Sequence, residues 1–134
     1  ILLSTAFDAQ TKLHKLPTAE IYHYHLGDPV LLLLLYPDGT TGRITLGPDV
    51  LAGHEVQVVV PPDVWQAVSL LPAPDGIDEA YTLFGTTMAP GFTPDDYLGA
   101  DRAELLEKYP HEADLITQLT DPNSPRHMQR GDDR

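Results

Sequence analysis

From Ile1 to Met88 the apolar residues fall in short runs broken by turn residues, and most runs alternate with a period of two. Glu20-Ile-Tyr-His-Tyr-His-Leu26 alternates and is rich in Tyr, which predicts a strand. Thr41 to Leu46 predicts another, with Arg43 and Thr45 on one face and Ile44 and Leu46 on the other. Pro29 to Tyr36 is continuously apolar, as expected of a strand buried on both faces. Ile1–Ser4, Val56–Val60, Trp65–Leu71 and Ala80–Met88 complete the set, while Phe7 to Leu16 stays ambiguous. Turns are expected at Gly27-Asp28, Pro37-Asp-Gly-Thr40, Gly47-Pro48-Asp49, Pro61-Pro62-Asp63 and Pro90-Gly91, with a loop over Leu71 to Glu79. Short strands at this spacing predict an all-β barrel or sandwich.

The period then changes. Asp101-Arg-Ala-Glu-Leu-Leu-Glu-Lys108 starts acidic and ends basic, as a helix prefers. Pro110 ends or restarts it, and His111 to Leu119 places Ala113, Leu115, Ile116 and Leu119 on roughly one helical face. From Asp121 the chain is polar and reads as a disordered tail. The expected organisation is one domain over residues 1–120 and a tail over 121–134, with no internal repeat.

Composition narrows the classes of function. The 134 residues include 20 acidic and 8 basic side chains, for a formal net charge of −12. That charge argues against nucleic acid, whose phosphates need Lys and Arg, and against anionic membrane surfaces. The run Leu31–Leu35 lies between Asp28 and Asp38 and is far shorter than the ~20 residues of a spanning helix. No basic stretch precedes an apolar one near the start, so no signal peptide is read and a soluble cytoplasmic protein is expected. The chain opens at Ile1-Leu-Leu without Met, in what reads as mid-strand, so residues upstream are expected. With no Cys, disulfides and thiolate metal sites are excluded, as is cysteine nucleophile chemistry. There is no Gly-rich phosphate loop, no G-x-S-x-G elbow and no H-E-x-x-H.

Candidate chemistry concentrates between His14 and Gln66. An imidazole and a carboxylate, His14 and Glu20, are suitable ligands for a divalent transition metal, or a base with an orienting partner. On spacing alone the plainer reading, a surface His in a turn and a Glu at a strand start, is favoured. Period-two alternation puts Glu20, Tyr22 and Tyr24 on one strand face and His23 and His25 on the other. Gln66 is a poor ligand for most transition metals but reads donors and acceptors well. Trp65, the single Trp, fills the core on its plainer reading.

Several stretches agree, in order, with one known family: Leu13-His14, Glu20-Ile-Tyr-His-Tyr-His-Leu-Gly-Asp-Pro29, Tyr36-Pro-Asp-Gly39, Leu46-Gly-Pro-Asp49, Val58-Val-Val-Pro-Pro-Asp-Val-Trp-Gln-Ala67, Ala89-Pro-Gly-Phe92 and Ala103-Glu-Leu-Leu-Glu-Lys-Tyr-Pro110. From about Ile1 to Thr120 the chain resembles the cupin_5 family, a domain of unknown function within the RmlC-like cupins. The resemblance implies a cupin double-stranded β-helix, a jelly roll of two antiparallel sheets, with short C-terminal helices, and a homodimer. It puts His14 and Glu20 at the first cupin motif and Gln66 at the second. Typical cupins carry two His and a Glu in the first motif and a His in the second. Here Lys15 and Pro17 stand where a further His would be sought, and Gln66 replaces the last. His14, Glu20 and Gln66 are thus an incomplete ligand set for a divalent metal. The Gly-rich segment with an aromatic that usually precedes the first strand of this family is absent from the chain.

Three functions remain in competition. One is an isomerase-, epimerase- or cyclase-type enzyme of unknown substrate, with His14, Glu20 and Tyr22 catalytic. The second is a small-ligand-binding protein with Tyr24, Trp65 and Gln66 as walls. The third is a metal-dependent cupin enzyme. A small-molecule pocket in the barrel is common to all three, and the first is favoured. The relation to RmlC-like cupins is fold-level analogy, and fold does not fix function.

Overall fold

The computed structural model describes residues 1–6, 9–71 and 80–128. Among them the chain forms β1 (Leu2–Ser4), β2 (His14–Lys15), β3 (Glu20–Gly27), β4 (Val30–Leu35), β5 (Thr41–Leu46), β6 (Gln57–Val60), β7 (Trp65–Leu70), β8 (Tyr81–Met88), β9 (Leu98–Gly99), α1 (Arg102–Lys108) and α2 (Ala113–Gln118). The strands make two antiparallel sheets, ordered β1-β8-β3-β6 and β5-β4-β7-β2-β9. This is a jelly roll with short C-terminal helices. The loop expected over Leu71 to Glu79 falls almost wholly on residues 72–79, outside the described residues.

The leucine run explains the layering. In β4, Leu32 and Leu34 join Val68 of β7 and Tyr22, Val58 and Phe84 of the other sheet in the space between the sheets. Leu33 and Leu35 point the other way, to Leu13, Trp65, Ala67, Leu105, Tyr109, Ile116 and Leu119. These four leucines are 0–1% exposed, and burial of each contributes roughly 1.5–3 kcal/mol. One sheet is therefore covered on both faces, by its partner sheet and by the helices.

Polar contacts hold the helices there. Asp101 caps α1 by accepting from the Glu104 amide at 3.1 Å. The Tyr109 hydroxyl donates to the Tyr36 carbonyl at 2.5 Å, and Arg43 grips Glu112 with both Nε and Nη2, the latter at 2.6 Å. That guanidinium holds the Glu112 carboxyl below the usual carboxylate range. Residues 121–128, expected to be a free tail, turn back along β9, where the Gly99 amide donates to the Arg126 carbonyl at 2.6 Å. Residues 129–134 lie outside the described set. Among the described residues no helix is long and apolar enough to cross a membrane.

Two short strands have no counterpart in the alternation. β2 and β9 hold two residues each, too few for a period to show. Yet β2 matters most for the site: His14 pairs with Gln66 of β7 on one side and with Gly99 of β9 on the other. The turn Pro61-Pro62-Asp63 locks the strand entry, because Asp63, at φ 62°, donates its amide to the Leu16 carbonyl at 2.8 Å.

The β3–β4 corner depends on Gly27. Its φ is +98°, and a Cβ there would lie 2.3 Å from the Tyr81 carbonyl oxygen. That oxygen already accepts from the Asp28 amide, and Asp28 returns the bond by accepting from the Tyr81 amide. Gly39, at φ +89°, has open space around its Cβ direction. Gly27→Ala is expected to destabilise the protein by roughly 2–4 kcal/mol, through strain plus a backbone clash. Gly39→Ala should cost only about 1 kcal/mol, for the left-handed conformation alone. Urea unfolding of the two variants checks this, and equal losses would refute the clash at Gly27.

Candidate functional site

The side chains that reach the barrel mouth follow from strand register. Glu20 pairs with Met88 and Val60, Tyr22 with Thr86 and Val58, and Tyr24 with Phe84. Residues paired across an antiparallel ladder share a face, so Glu20, Tyr22, Thr86 and Met88 all point between the sheets. The pair His14 and Gln66 faces them from the opposite sheet. A cavity of about 450 Å³ opens here, lined by Ile1, His14, Leu16, Glu20, Thr86, Met88, Phe92, Tyr97 and Met128.

Two groups in it carry chemistry. Glu20 is 7% exposed, and its Oε2 is buried without a hydrogen-bond partner among the described residues. A buried carboxylate oxygen without a partner is costly, so such a group points to a missing ligand or water. His14 lies on β2 with its Nδ1 2.8 Å from the Lys12 carbonyl. A carbonyl only accepts, so Nδ1 carries the proton and Nε2 keeps its lone pair in the neutral ring. Tyr97 stacks on the imidazole, with centroids 5.1 Å apart and planes 16° apart, which fixes the ring's orientation.

Behind the cavity, the Tyr22 hydroxyl donates to Gln66 Oε1 at 2.5 Å. Tyr22 is 3% and Gln66 1% exposed. Burial, reinforced by the charge of Glu20, pushes the Tyr22 phenol well above its ordinary value, and burial pushes the Tyr97 phenol up as well. Both phenols therefore stay protonated near neutral pH.

The structure thus brings together four of the residues expected at the site. His14 and Glu20 face the cavity, and Tyr22 and Gln66 form a bonded pair next to it. Two of the expected residues lie elsewhere. Tyr24 shares the face of Glu20 but sits two pairs further along, where its hydroxyl donates to the Gly27 carbonyl at 2.6 Å. Trp65 belongs to the core beneath the helices, with the Lys15 ammonium 4.9 Å from its ring centroid. The alternation of β7 that aims Gln66 inward aims Trp65 outward.

No group of three or more His, Cys, Asp or Glu capable of holding a metal occurs among the described residues. Gln66 Oε1 accepts a hydrogen bond from the Tyr22 hydroxyl, and a neutral amide oxygen is a weak ligand. His14 and Glu20 are thus the two strong donors of the expected set.

Sequence reading missed Tyr97, Phe92, Thr86, Met88, Leu16 and Met128. Thr86 and Met88 were within its reach through the alternation of β8. Tyr97 precedes a two-residue strand, and Met128 arrives on a segment with no periodic signal. A second cleft of about 460 Å³ lies between α1 and residues 121–126, but its arginines are engaged: Arg102 with Thr117 and Thr120, Arg126 with Glu104.

Fold and site together define a cupin-type jelly roll whose mouth holds an imidazole and a carboxylate. The chain belongs to Cupin_5, a cupin superfamily family also described as DUF985, whose model matches residues 1–99. No curated protein matches it. The crystal structure of a Shewanella oneidensis protein is similar at a TM-score of 0.75 and 25% identity, over 85% of this chain and 68% of that one. A hypothetical protein from Leishmania major is similar at a TM-score of 0.78 and 26% identity, over 89% of this chain and 72% of that one. The family model stops at β9, so the helices and the segment that brings Met128 to the mouth lie beyond it.

The Tyr22–Gln66 pair has a testable energetic signature. Tyr22→Phe leaves a buried amide oxygen unsatisfied and should cost about 1–3 kcal/mol. Adding Gln66→Leu removes the orphaned group, so the double variant should be less destabilised than the two single losses summed. Additive losses in a denaturation cycle would show that the bond contributes nothing.

Proposed function

We propose that the barrel mouth binds a small molecule and performs acid–base chemistry of the isomerase or epimerase kind. The observation that carries this reading is the unpartnered, buried Glu20 oxygen in the same cavity as an imidazole whose tautomer is set. Glu20 anchors a hydrogen-bond donor of the bound molecule. His14 Nε2 takes a proton from a carbon next to a carbonyl, and the electron pair of that C–H bond moves onto the carbonyl oxygen. The imidazolium then returns the proton to the same or the neighbouring atom, so nothing is gained or lost. Tyr22 acts indirectly, by holding Gln66 beneath the site. Apolar walls from Leu16, Met88 and Phe92 keep water from the reacting atoms.

The protein is incubated in deuterium oxide with a panel of small hydroxy- and amino-carbonyl compounds, and C–H exchange is followed by proton NMR. At least one compound should exchange faster than in buffer, and His14→Gln should slow that exchange about 100-fold or more. An exchange rate unchanged in His14→Gln, or no exchange with any compound, would overturn the assignment.

We further propose a homodimer formed through the outer face of the β1-β8-β3-β6 sheet. Ile21, His23, His25, Gln57, Val59 and Tyr81 point outward there by the register, and the face carries no Asp or Glu in a chain of net charge −12. Val59 is 57% exposed and Tyr81 46%. An apolar, carboxylate-free sheet face is the kind of surface that subunits cover. Sedimentation velocity at micromolar concentration should give a dimer, and Val59→Glu should shift it to monomer. A parent protein that sediments as a monomer would remove this part of the reading.

A further inference from the structure

We infer that the molecule taken up at the barrel mouth is an organic cation, an ammonium-bearing compound with a small apolar or planar body. The inference rests on the reading of this cavity as a ligand site and specifies what it takes.

The side-chain charges in the cavity are one-sided. Its lining contains one carboxylate, Glu20, and no Lys or Arg among the described residues. The amino group of Ile1, which also lines the cavity, donates to the Phe84 carbonyl at 2.8 Å, and the nearby lysines among the described residues are committed elsewhere. Lys15 lies over the Trp65 ring on the opposite face of the sheet. Lys12, at the rim of an adjoining depression, donates to Asp121 at 3.2 Å and to Ser124 at 2.6 Å. His14 in its neutral form offers a lone pair, not a second proton, because its Nδ1–H points at the Lys12 carbonyl. The Glu20 carboxylate and the His14 lone pair both accept and call for a ligand that donates, while the Thr86 and Tyr97 hydroxyls in the same lining can serve either role. A phosphate or carboxylate would meet the Glu20 charge with no lining Lys or Arg to offset it.

An ammonium satisfies the site better than a hydroxyl. Glu20 is 7% exposed with a free oxygen, so its charge is little screened and a charge-assisted bond there is strong. Phe92 lines the same cavity, as does Tyr97, one face of whose ring is stacked on His14, and aromatic faces attract cations. Met88 and Met128 add soft, adaptable walls for the body of the ligand. A chain with net charge −12 also draws cations toward it.

Three probes of one shape separate the alternatives: 2-phenylethylammonium, 2-phenylethanol and phenylacetate. Binding is followed by isothermal titration calorimetry at physiological ionic strength. The ammonium should bind at least tenfold tighter than the alcohol, and phenylacetate should not bind. Glu20→Gln should abolish the preference for the ammonium, weakening it at least tenfold more than the alcohol. Glu107→Gln, on the exposed surface of α1, should leave all three values unchanged, which excludes attraction by net charge alone. Phe92→Leu, at a half-exposed position, should weaken the ammonium several-fold more than the alcohol. Equal or tighter binding of phenylacetate overturns the inference. So does an ammonium affinity indifferent to Glu20→Gln, or the failure of all three probes to bind at millimolar concentration. Ammonium selectivity without any C–H exchange would remove only the acid–base reading, and exchange confined to neutral or anionic compounds would remove only the ligand class.

Discussion

Burial of the β4 strand on both faces is the constraint from which the architecture follows. Leu32 and Leu34 require a second sheet, and Leu33 and Leu35 require a cover on the far side. The helices supply that cover, so the sequence beyond β9 completes the core even though the family model ends there. The helices leave the outer face of the other sheet, with its exposed apolar residues and histidines, uncovered, and its inner face places polar groups near the open end of the barrel.

The site is a product of that asymmetry. At the closed end the space between the sheets is filled by Leu3, Val30, Leu46 and Phe84. Toward the mouth the fill changes to a hydrogen-bonded Tyr22–Gln66 pair and then to Glu20 and His14 around open space. Gln66 accepts the hydrogen bond of the Tyr22 phenol, which would otherwise be a buried donor without a partner. Beyond that pair, a carboxylate, an imidazole and the hydroxyl-bearing Thr86 and Tyr97 stand among apolar walls.

Much was legible in the chain. The strands of four residues or more show their period because alternation needs length, and β5 runs from Thr41 to Leu46 as its pattern predicts. The turn at Gly27-Asp28, the Asp38-Gly39 hairpin and the capped start of α1 follow from backbone chemistry that acts within a few residues. The grouping of Glu20 with Tyr22 on the inner face is likewise local, because period two leaves no choice once one member is buried.

What the chain could not decide by itself was depth along each strand and the meeting of remote segments. Tyr24 shares a face with Glu20, yet two register steps take it out of the cavity to the Gly27 carbonyl. Trp65 and Gln66 are neighbours in sequence, and the pleat sends one under the helices and the other toward the site. β2 is two residues long and gains its ladder only because β7 and β9 flank it, so the placement of His14 opposite Glu20 is a tertiary fact. Tyr97, Phe92 and Met128 reach the mouth from segments far apart in the chain. Sequence determined the elements, the inward faces and the residue types that stand on them, because those depend on side-chain chemistry and short-range periodicity. The cavity itself was decided by long-range pairing, which no local pattern encodes.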